Sequence, residues 1–321
     1  MSTKPSVLAM TSHIKQIITR LVEAINFQLP GGRWQLFEFC DLWIVPEIIK
    51  HCAQATLTAQ WTTRLPLLQR RAPAELAADA ILAILETQDD ESDNNEQTTW
   101  TVLDFCSGAG GPTPAIEATV NQRQTARGKP PITFQLSDLH PHLSAWQELS
   151  ARSPNLSFIP YPVDASNPPS NPNPNDNGKV LHLFSLSLHH FPDSATRRIL
   201  ARTLETSSAF AILELQSRDL ISTLVMMLEP FLLLLSTIFW FPRSSVHLLL
   251  TYGLPVLPLL HGWDGFVSCL RTRTFTETMG LVGKGEGRHE DWVFGCERRL
   301  HTWPLGYMNV VFGKKVAAVD K

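Results

Sequence analysis

Small residues and glycines interrupt the chain directly after a short apolar run. The run Trp100–Phe105 contains Asp104 near its end and is followed by Cys106-Ser107-Gly108-Ala109-Gly110-Gly111-Pro112. Glycines allow a backbone to approach a ligand closely, and the start of a helix offers unpaired N–H groups. Proline is favoured in a first helical turn. The spacing therefore predicts a strand, a tight turn and a helix start that together hold a nucleotide-like ligand.

Two further acids follow the next apolar runs. Asp138 comes after the run 132–136, and Asp164 comes after the run 156–163. Ligands of open parallel sheets bind at the carboxyl ends of the strands, so Asp138 is placed to accept hydrogen bonds from two ribose hydroxyls. Asp164 is placed to accept one from an adenine amino group. The predicted cofactor-binding residues are Asp104, Cys106, Ser107, Gly108, Gly110, Asp138 and Asp164.

Two cofactors use such a turn. Enzymes that bind NAD usually show G-x-G-x-x-G, whereas this turn reads Gly108-x-Gly110-Gly111-Pro112. Methyltransferases show D-x-G-x-G-x-G, and Cys106 stands here in the first glycine place. Two apolar runs near the end of the chain, 291–294 and 307–312, predict an antiparallel hairpin. This hairpin favours methyl transfer, and an NAD-dependent reductase stays open as an alternative.

At these residues the chain resembles the class I S-adenosylmethionine-dependent methyltransferases. The stretch 104–111 is similar to their first motif, Asp138 to their ribose-binding acid and Asp164 to their adenine-contacting acid. The 34 residues from Asp104 to Asp138 exceed the usual spacing. The resemblance covers 99–215 and 270–313. It extends to a little-characterised subgroup with a stretch like 33–39, an apolar insert and a stretch like 263–272. It implies S-adenosylmethionine (SAM) as cofactor and supplies no substrate.

Three residues are candidates for acting on a substrate. His189 and His190 follow the fourth predicted strand, and a neutral imidazole can take a proton from a hydroxyl near pH 7. Asp264 follows the apolar insert and could orient a substrate. Each has a structural alternative: the histidines could bond backbone groups, and Asp264 or Arg271 could form a buried pair. Cys106 is interpreted as a small packing residue.

The composition of the chain limits the kinds of partner and the cellular compartment that we expect. The 321 residues carry a net charge of −3, so no basic excess is present to bind a nucleic acid. Five scattered cysteines without C-x-x-C spacing predict a reducing, cytoplasmic compartment and no structural zinc. The segment 183–191 lacks clustered acids, so no metal is predicted. The basic, apolar N-terminus is interpreted as an amphipathic helix, with a mitochondrial presequence as the alternative.

The element pattern predicts an α/β fold with a doubly wound, mostly parallel seven-stranded sheet. Residues 1–98 are predicted to form a helical extension with an acidic linker at 87–98, and 99–321 the sheet domain. Buried helix faces interrupted at Pro46 are predicted between 36 and 49, and another helix at 74–85. The five parallel strands are predicted at 100–105, 132–136, 156–163, 180–188 and 210–215.

The segment 220–262 is an apolar insert. Its first 22 residues carry one charge, Glu229, followed by Pro230, which disfavours a membrane span. We expect two shorter helices, with Pro230 at the start of the second, that cover the active site or lie in a membrane surface. The predicted function is methyl transfer from SAM to O or C of a small, apolar or lipid-like acceptor. The alternative from another class is a membrane-associated binding or scaffold protein with a methyltransferase-like domain.

Overall fold

The computed structural model describes residues 17–89, 99–169, 178–283 and 291–316. Its sheet has the strand order β3-β2-β1-β4-β5-β7-β6. Strands β1 to β5 are parallel, and β7 runs antiparallel to both β5 and β6. This is the predicted doubly wound sheet of the Rossmann-like methyltransferase fold, with its terminal hairpin. The strands are β1 (Trp100–Phe105), β2 (Thr133–Ser137), β3 (Leu156–Phe158), β4 (Lys179–Ser185), β5 (Ala209–Glu214), β6 (Trp292–Thr302) and β7 (Gly306–Lys315).

Helices cover both faces of the sheet and its carboxyl edge. Helix α1 comprises residues 17–25. The others are α2 (Glu47–Thr62), α3 (Pro73–Asp89), α4 (Thr113–Ala126), α5 (Leu143–Ser150), α6 (Asp193–Thr206), α7 (Leu220–Trp240), α8 (Ser245–Leu248), α9 (Val256–Arg271) and α10 (Phe275–Val282). Three of them, α2, α7 and α9, lie over the ends of the strands rather than on a face, where they enclose the cavity described below.

Alternation along the central strands divides the core into two layers. Val102 packs on one side with residues of α3 and α4. Leu103 packs on the other side with residues of α6 and α10. Both side chains are fully buried, as expected for a parallel sheet covered on both faces.

Helix α3 belongs to the same core as the sheet. Its residues Ala77 and Ile81 are fully buried, and they pack in one cluster with Ile116 of α4 and Phe134 of β2. The helix predicted at 74–85 is confirmed and continues to Asp89, into the segment predicted as linker. Residues 90–98 lie outside the described part of the chain, so the boundary at 98 stays a prediction. The first 16 residues lie outside it as well.

The prediction of buried helix faces between 36 and 49 is wrong for the residues before Pro46, whereas helix α2 begins directly after this proline and contains residues 47–49. The chain from 26 to 46 is irregular apart from a single 3₁₀ turn at Phe39–Asp41, and Trp43 is 90% exposed. This segment is held by side-chain and backbone contacts to α9 instead of by its own helical hydrogen bonds. The third strand also ends earlier than predicted, at Phe158, and residues 159–164 form an irregular connection.

The predicted break at Pro230 is also wrong, because α7 is one helix of 21 residues with the proline inside it. Pro230 cannot donate a backbone hydrogen bond, which normally kinks or ends a helix. Its ring packs against Gly262 of α9, where a Cβ atom would come within 2.6 Å of the proline Cγ. Close packing at this glycine therefore accommodates the proline within a continuous helix.

Candidate active site

A cavity of about 770 Å³ opens at the carboxyl ends of β1, β2, β4 and β5. The turn after β1 forms one end, and α5 and α2 line it beside that turn. Residues after β4 and β5, together with α7, α9 and the segment 38–41, form the rest of the wall. Volumes of this order are typical of small-molecule sites. A continuous cavity of this size therefore lies at the strand ends where the sequence predicts a ligand site.

The turn after β1 has the backbone that its sequence predicts. Gly108, Gly110 and Gly111 have positive φ angles, and so does Cys106, at +57°. A Cβ atom on Gly110 would lie 2.4 Å from Leu149 Cδ1 of α5, so this position excludes a side chain. The positive φ at Cys106 is a backbone conformation that glycine adopts most readily. The turn brings its backbone directly to the cavity wall.

Hydrogen bonds tie the turn to the end of β2. Ser107 Oγ donates to the Asp104 carbonyl at 2.9 Å, and Ser137 Oγ donates to the same carbonyl at 2.8 Å. The Gly108 N–H donates to Asp138 Oδ2 at 2.8 Å, and the His140 N–H donates to Oδ1 at 2.8 Å. Each carboxylate oxygen keeps a second lone pair, so Asp138 can still accept from a ligand in the cavity.

Asp164 is close enough to the turn for its charge to contribute to the raised pKa of the Cys106 thiol. It is exposed, its Oδ1 accepts from the Ser166 N–H at 2.8 Å, and it is not part of the described cavity wall. Its predicted contact with an adenine amino group stays a prediction. Of the other cofactor-binding candidates, Asp104, Cys106, Ser107, Gly108, Gly110 and Asp138 all line the cavity.

Asp104 is buried at the base of the turn, and Cys106 beside it is partly buried. Burial raises the pKa of Asp104 to about 7, although Thr113 Oγ1 donates to its Oδ2 at 2.7 Å. The other oxygen, Oδ1, is buried without a partner among the described residues. Burial also raises the pKa of the Cys106 thiol to about 12, with nearby acids adding to the effect. This agrees with the interpretation of Cys106 as a packing residue, since only a thiolate is strongly nucleophilic.

His189 forms a buried pair with Glu214. Its Nδ1 lies 2.9 Å from Oε2 of Glu214 at the end of β5, and Gln216 Nε2 donates to the same oxygen at 2.9 Å. A carboxylate can only accept, so Nδ1 carries the proton and Nε2 presents its lone pair. Nε2 is buried and has no hydrogen-bond partner among the described residues. His189 thus has the geometry of an oriented base at the cavity wall.

Glu38 lines the cavity beside His189, and Arg271 pairs with it without being part of the described wall. Arg271 Nη1 lies 3.1 Å from Glu38 Oε1 and 2.8 Å from Asp41 Oδ2, and Glu38 Oε1 lies 3.8 Å from His189 Nε2. Burial raises the pKa of Glu38. Burial alone would raise the pKa of Asp41, but His190 and Arg271 lower it to about 2. His190 Nδ1 stands 3.4 Å from Asp41 Oδ1 and is half-buried in this ionic cluster.

Asp264 has a structural role in the described chain. Its Oδ1 accepts from the Phe39 N–H at 2.6 Å and its Oδ2 from the Cys40 N–H at 3.1 Å. Both donors are in the 3₁₀ turn that carries Glu38 and Asp41 to the cavity. Asp264 also lines the cavity, so its predicted part in orienting a substrate stays a prediction.

The two stretches that carry the subgroup resemblance pack on each other. Trp263 Nε1 donates to the Phe37 carbonyl at 3.1 Å, and Arg271 Nε donates to the Leu36 carbonyl at 2.8 Å. Arg33 donates to the carbonyls of His189 and Phe191 at 3.1 and 3.3 Å. The segment 33–41 therefore fixes both α9 and the loop that bears His189.

Sequence reasoning missed four residues of the site. Glu214 ends β5, and Glu38 lies inside the stretch 33–39. Glu229 was noticed only as a charge in an apolar run, and His261 was not noticed. Their shared signal is a titratable residue in an otherwise apolar element. The missed residues are Glu38, Glu214, Glu229 and His261.

Comparisons with known proteins show a likeness in fold. No family model matches the chain, and no curated protein matches it. Among solved structures, 177 chains match. A magnesium protoporphyrin IX methyltransferase from Synechocystis PCC 6803 with bound SAM is 9% identical, with 75% of this chain and 79% of that chain covered and a TM-score of 0.37.

Two other solved structures are similar at the same level. The plantazolicin methyltransferase BpumL in complex with SAH is 13% identical, with 84% of this chain and 98% of that chain covered and a TM-score of 0.40. Human N-acetylserotonin methyltransferase in complex with SAM is 13% identical, with 96% of this chain and 68% of that chain covered and a TM-score of 0.41. At these identities the likeness concerns the fold alone.

Proposed function

We propose that this chain is a SAM-dependent methyltransferase that acts on O or C of a small acceptor. The observation that carries the proposal is the single cavity that joins the glycine turn after β1 to the buried His189–Glu214 pair. This one cavity thus contains both a site for a nucleotide-like cofactor and an oriented base. Methyl transfer needs this juxtaposition, because the acceptor must lie beside the donor.

The residues at the turn fit this cofactor. Asp138 lines the cavity with spare acceptor capacity for ribose hydroxyls, and the glycines allow close backbone approach. The unpartnered Asp104 Oδ1 is a buried acceptor in the same wall, and a ligand with an ammonium group would supply its missing donor. SAM, when bound there, supplies an electrophilic methyl group.

His189 is proposed as the general base. Its Nε2 lone pair takes the proton of an acceptor hydroxyl, and the Glu214 carboxylate stabilises the imidazolium that results. Gln216 and Arg33 act as positioning residues. Gln216 donates a hydrogen bond to the Glu214 carboxylate, and Arg33 donates one to the His189 carbonyl. Removing a well-placed base typically lowers a rate 10²- to 10⁴-fold.

The insert brings both apolar and polar side chains to the cavity. From 220–262 the described wall includes Met226, Glu229, Leu260 and His261. The expectation of an apolar acceptor depended on the composition of the insert. Many of its other large apolar side chains are exposed, and Glu229 and His261 favour an acceptor that also carries polar groups.

Labelled SAM tests the proposed transfer. The protein is incubated with methyl-tritiated SAM and a small-molecule extract of cells that lack the gene. We expect label to move into an extract component, and His189→Ala to lower the labelling rate at least a hundredfold with SAM affinity unchanged. The exposed substitution Glu205→Gln serves as control. No labelled product, or an unchanged rate in His189→Ala, would contradict the proposal.

We also propose that the outer face of α7 lies in a membrane surface. By length and composition this helix could cross a membrane, but its inner face supports α9 and the cavity. Large apolar side chains at helical spacing are exposed on its other face and carry no charge among them. They are Leu224, Met227, Leu228, Phe231, Leu235, Ile238 and Phe239. Monomeric proteins rarely expose such a continuous face, and an interfacial helix buries one in the headgroup region.

A further inference from the structure

The described wall of the cavity is rich in hydrogen-bond acceptors and in negatively charged side chains. Six carboxylate side chains line it, and no lysine or arginine does so among the described residues. A wall of this kind attracts cations and repels anions. Five of the six acids are accounted for by the site described above. They are Glu38, Asp41, Asp104, Asp138 and Asp264.

Glu229 is the sixth, and its described partners leave it uncompensated. Its side chain is 11% exposed, Gln60 Nε2 donates to its Oε1 at 2.5 Å, and His261 Nδ1 lies 3.4 Å from the same oxygen. Neither Lys nor Arg pairs with it in the described chain. Oε2 has no hydrogen-bond partner among those residues. Burying a carboxylate is costly unless a cation or several donors satisfy it.

The packing of α7 against α9 places this carboxylate in the cavity wall. On α9, Gly262 admits the ring of Pro230, and Gly265 admits Glu229 itself. A Cβ atom on Gly265 would lie 3.1 Å from Glu229 Oε2 and 3.1 Å from Met226 Sδ. The two glycines, one helical turn apart, let α7 approach closely and direct its single charged side chain inward. The close packing of these two helices therefore fixes the position of the Glu229 side chain.

His261 adds a second acceptor beside Glu229. Its side chain is 9% exposed and lines the cavity, and its Nε2 is buried without a partner among the described residues. With Nδ1 directed at a carboxylate, Nε2 presents a lone pair. An ammonium group has three N–H donors and no acceptor, which complements a carboxylate oxygen and an imidazole lone pair.

We propose that Glu229 and His261, with Gln60 orienting the carboxylate, bind an ammonium group of the acceptor. The acceptor is then a small amine that also carries the atom to be methylated, an assignment that rests on the proposed methyl transfer. The cavity excludes acceptors whose corresponding group is a carboxylate or phosphate, because Glu229 would repel it. This site lies on the insert, apart from the glycine turn that would hold the cofactor.

Three ring compounds of matched shape test the charge preference. Tyramine carries an ammonium group, 4-ethylphenol is neutral and 3-(4-hydroxyphenyl)propionate is anionic. Their binding to the protein is measured by calorimetry with and without saturating S-adenosylhomocysteine. We expect tyramine to bind at least tenfold more tightly than 4-ethylphenol and the propionate to bind most weakly, since hydrogen bonds to charged groups are the strong ones.

Two variants assign the preference to Glu229. Glu229→Gln keeps the shape and a partner for Gln60, and we expect it to abolish the advantage of tyramine over 4-ethylphenol. Gly265→Ala places a methyl group against the carboxylate, and we expect it to reduce that advantage while the helix stays folded. Affinity for S-adenosylhomocysteine stays unchanged in both. The control Glu205→Gln, on the exposed face of α6, keeps the wild-type order.

Different contrary results would overturn the amine site and the proposed methyl transfer. Equal binding of the three compounds, no binding of tyramine, or a preserved preference in Glu229→Gln would overturn the amine site. Failure of S-adenosylhomocysteine to bind, with the tyramine preference intact in its absence, would overturn the proposed methyl transfer and leave the amine site standing.

Discussion

His189 is the residue on which the proposed chemistry depends most. Its Nδ1 contacts both oxygens of Glu214, at 2.9 and 3.1 Å, which places a proton on Nδ1, and Nε2 has no hydrogen-bond partner among the described residues. Nitrogen NMR of protein labelled with ¹⁵N-histidine reports this directly, and the signal missing in His189→Asn identifies the residue. We expect the signature of an unprotonated Nε2. A signal from Nε2–H at neutral pH would remove His189 as the base.

Asp104 predicts a distinct dependence of stability on pH. Burial raises its pKa from the ordinary value of 3.8 to about 7, so folding favours the protonated form. Its contribution to stability is complete below the ordinary value and is lost as the pH rises through about 7.

Asp104→Asn removes this titration and still accepts from Thr113. We expect the stability of the variant relative to wild type to increase between pH 4 and pH 8, by up to about 4 kcal/mol, since one pKa unit corresponds to about 1.4 kcal/mol. Urea unfolding at several pH values measures the difference. A difference that does not change with pH would show that Asp104 is not buried as the structure has it.

At the residue scale the sequence located the strand-end residues of the cavity better than the residues that α7 and the segment 38–41 contribute to it. Gly108 and Asp138 follow directly from strand ends, because the topology of a parallel sheet brings those ends together. Glu38 and Glu229 could not be found that way. Their positions depend on how α9 packs against two other segments, and no local pattern encodes this packing.

At the element scale, the crossing of α7 and α9 places Glu229 and His261 in the cavity. Pro230 contacts Gly262, which leaves no space for a Cβ atom. Gly262→Ala should therefore destabilise the fold by about 1–3 kcal/mol from overpacking, partly offset by up to about 1 kcal/mol of helix propensity. Gly280→Ala is a matched control, because nothing lies within 4 Å of its Cβ position in α10 and the residue is exposed.

A double-mutant cycle tests that the proline is the cause. In a Pro230→Ala background the ring is absent, so the cost of Gly262→Ala should fall in thermal or urea unfolding. The same cost in both backgrounds would show that the two helices do not cross at this pair.

The elements that sequence reasoning misplaced share one physical feature. Regular periodicity predicted β1, α3 and the terminal hairpin, where burial follows the helix or strand repeat. It failed for 26–46 and for Pro230, because tertiary contacts with α9 decide both structures. The apolar residues between 36 and 46 suit a helix, yet they belong to an irregular segment that Trp263, Asp264 and Arg271 hold through hydrogen bonds.

For the molecule as a whole, the outer face of α7 predicts association with lipid. Flotation with phosphatidylcholine vesicles should carry the wild-type protein. The pair of substitutions Leu235→Glu and Phe239→Glu should weaken binding at least tenfold, because both side chains are more than two-thirds exposed and each would bury about 1.5–3 kcal/mol of apolar surface. Val293→Glu, on an exposed position of β6, should have no effect. Binding that survives the double substitution would contradict a role for this face.

The whole account depends on one cavity that binds SAM against Asp138. Calorimetric titration of the purified protein with SAM, and with NAD for comparison, tests this most directly. We predict that SAM binds and NAD does not, that Asp138→Ala weakens SAM at least tenfold with the melting temperature recorded in parallel, and that Glu205→Gln binds like wild type. Binding of NAD in place of SAM, or full SAM affinity in Asp138→Ala, would contradict the account.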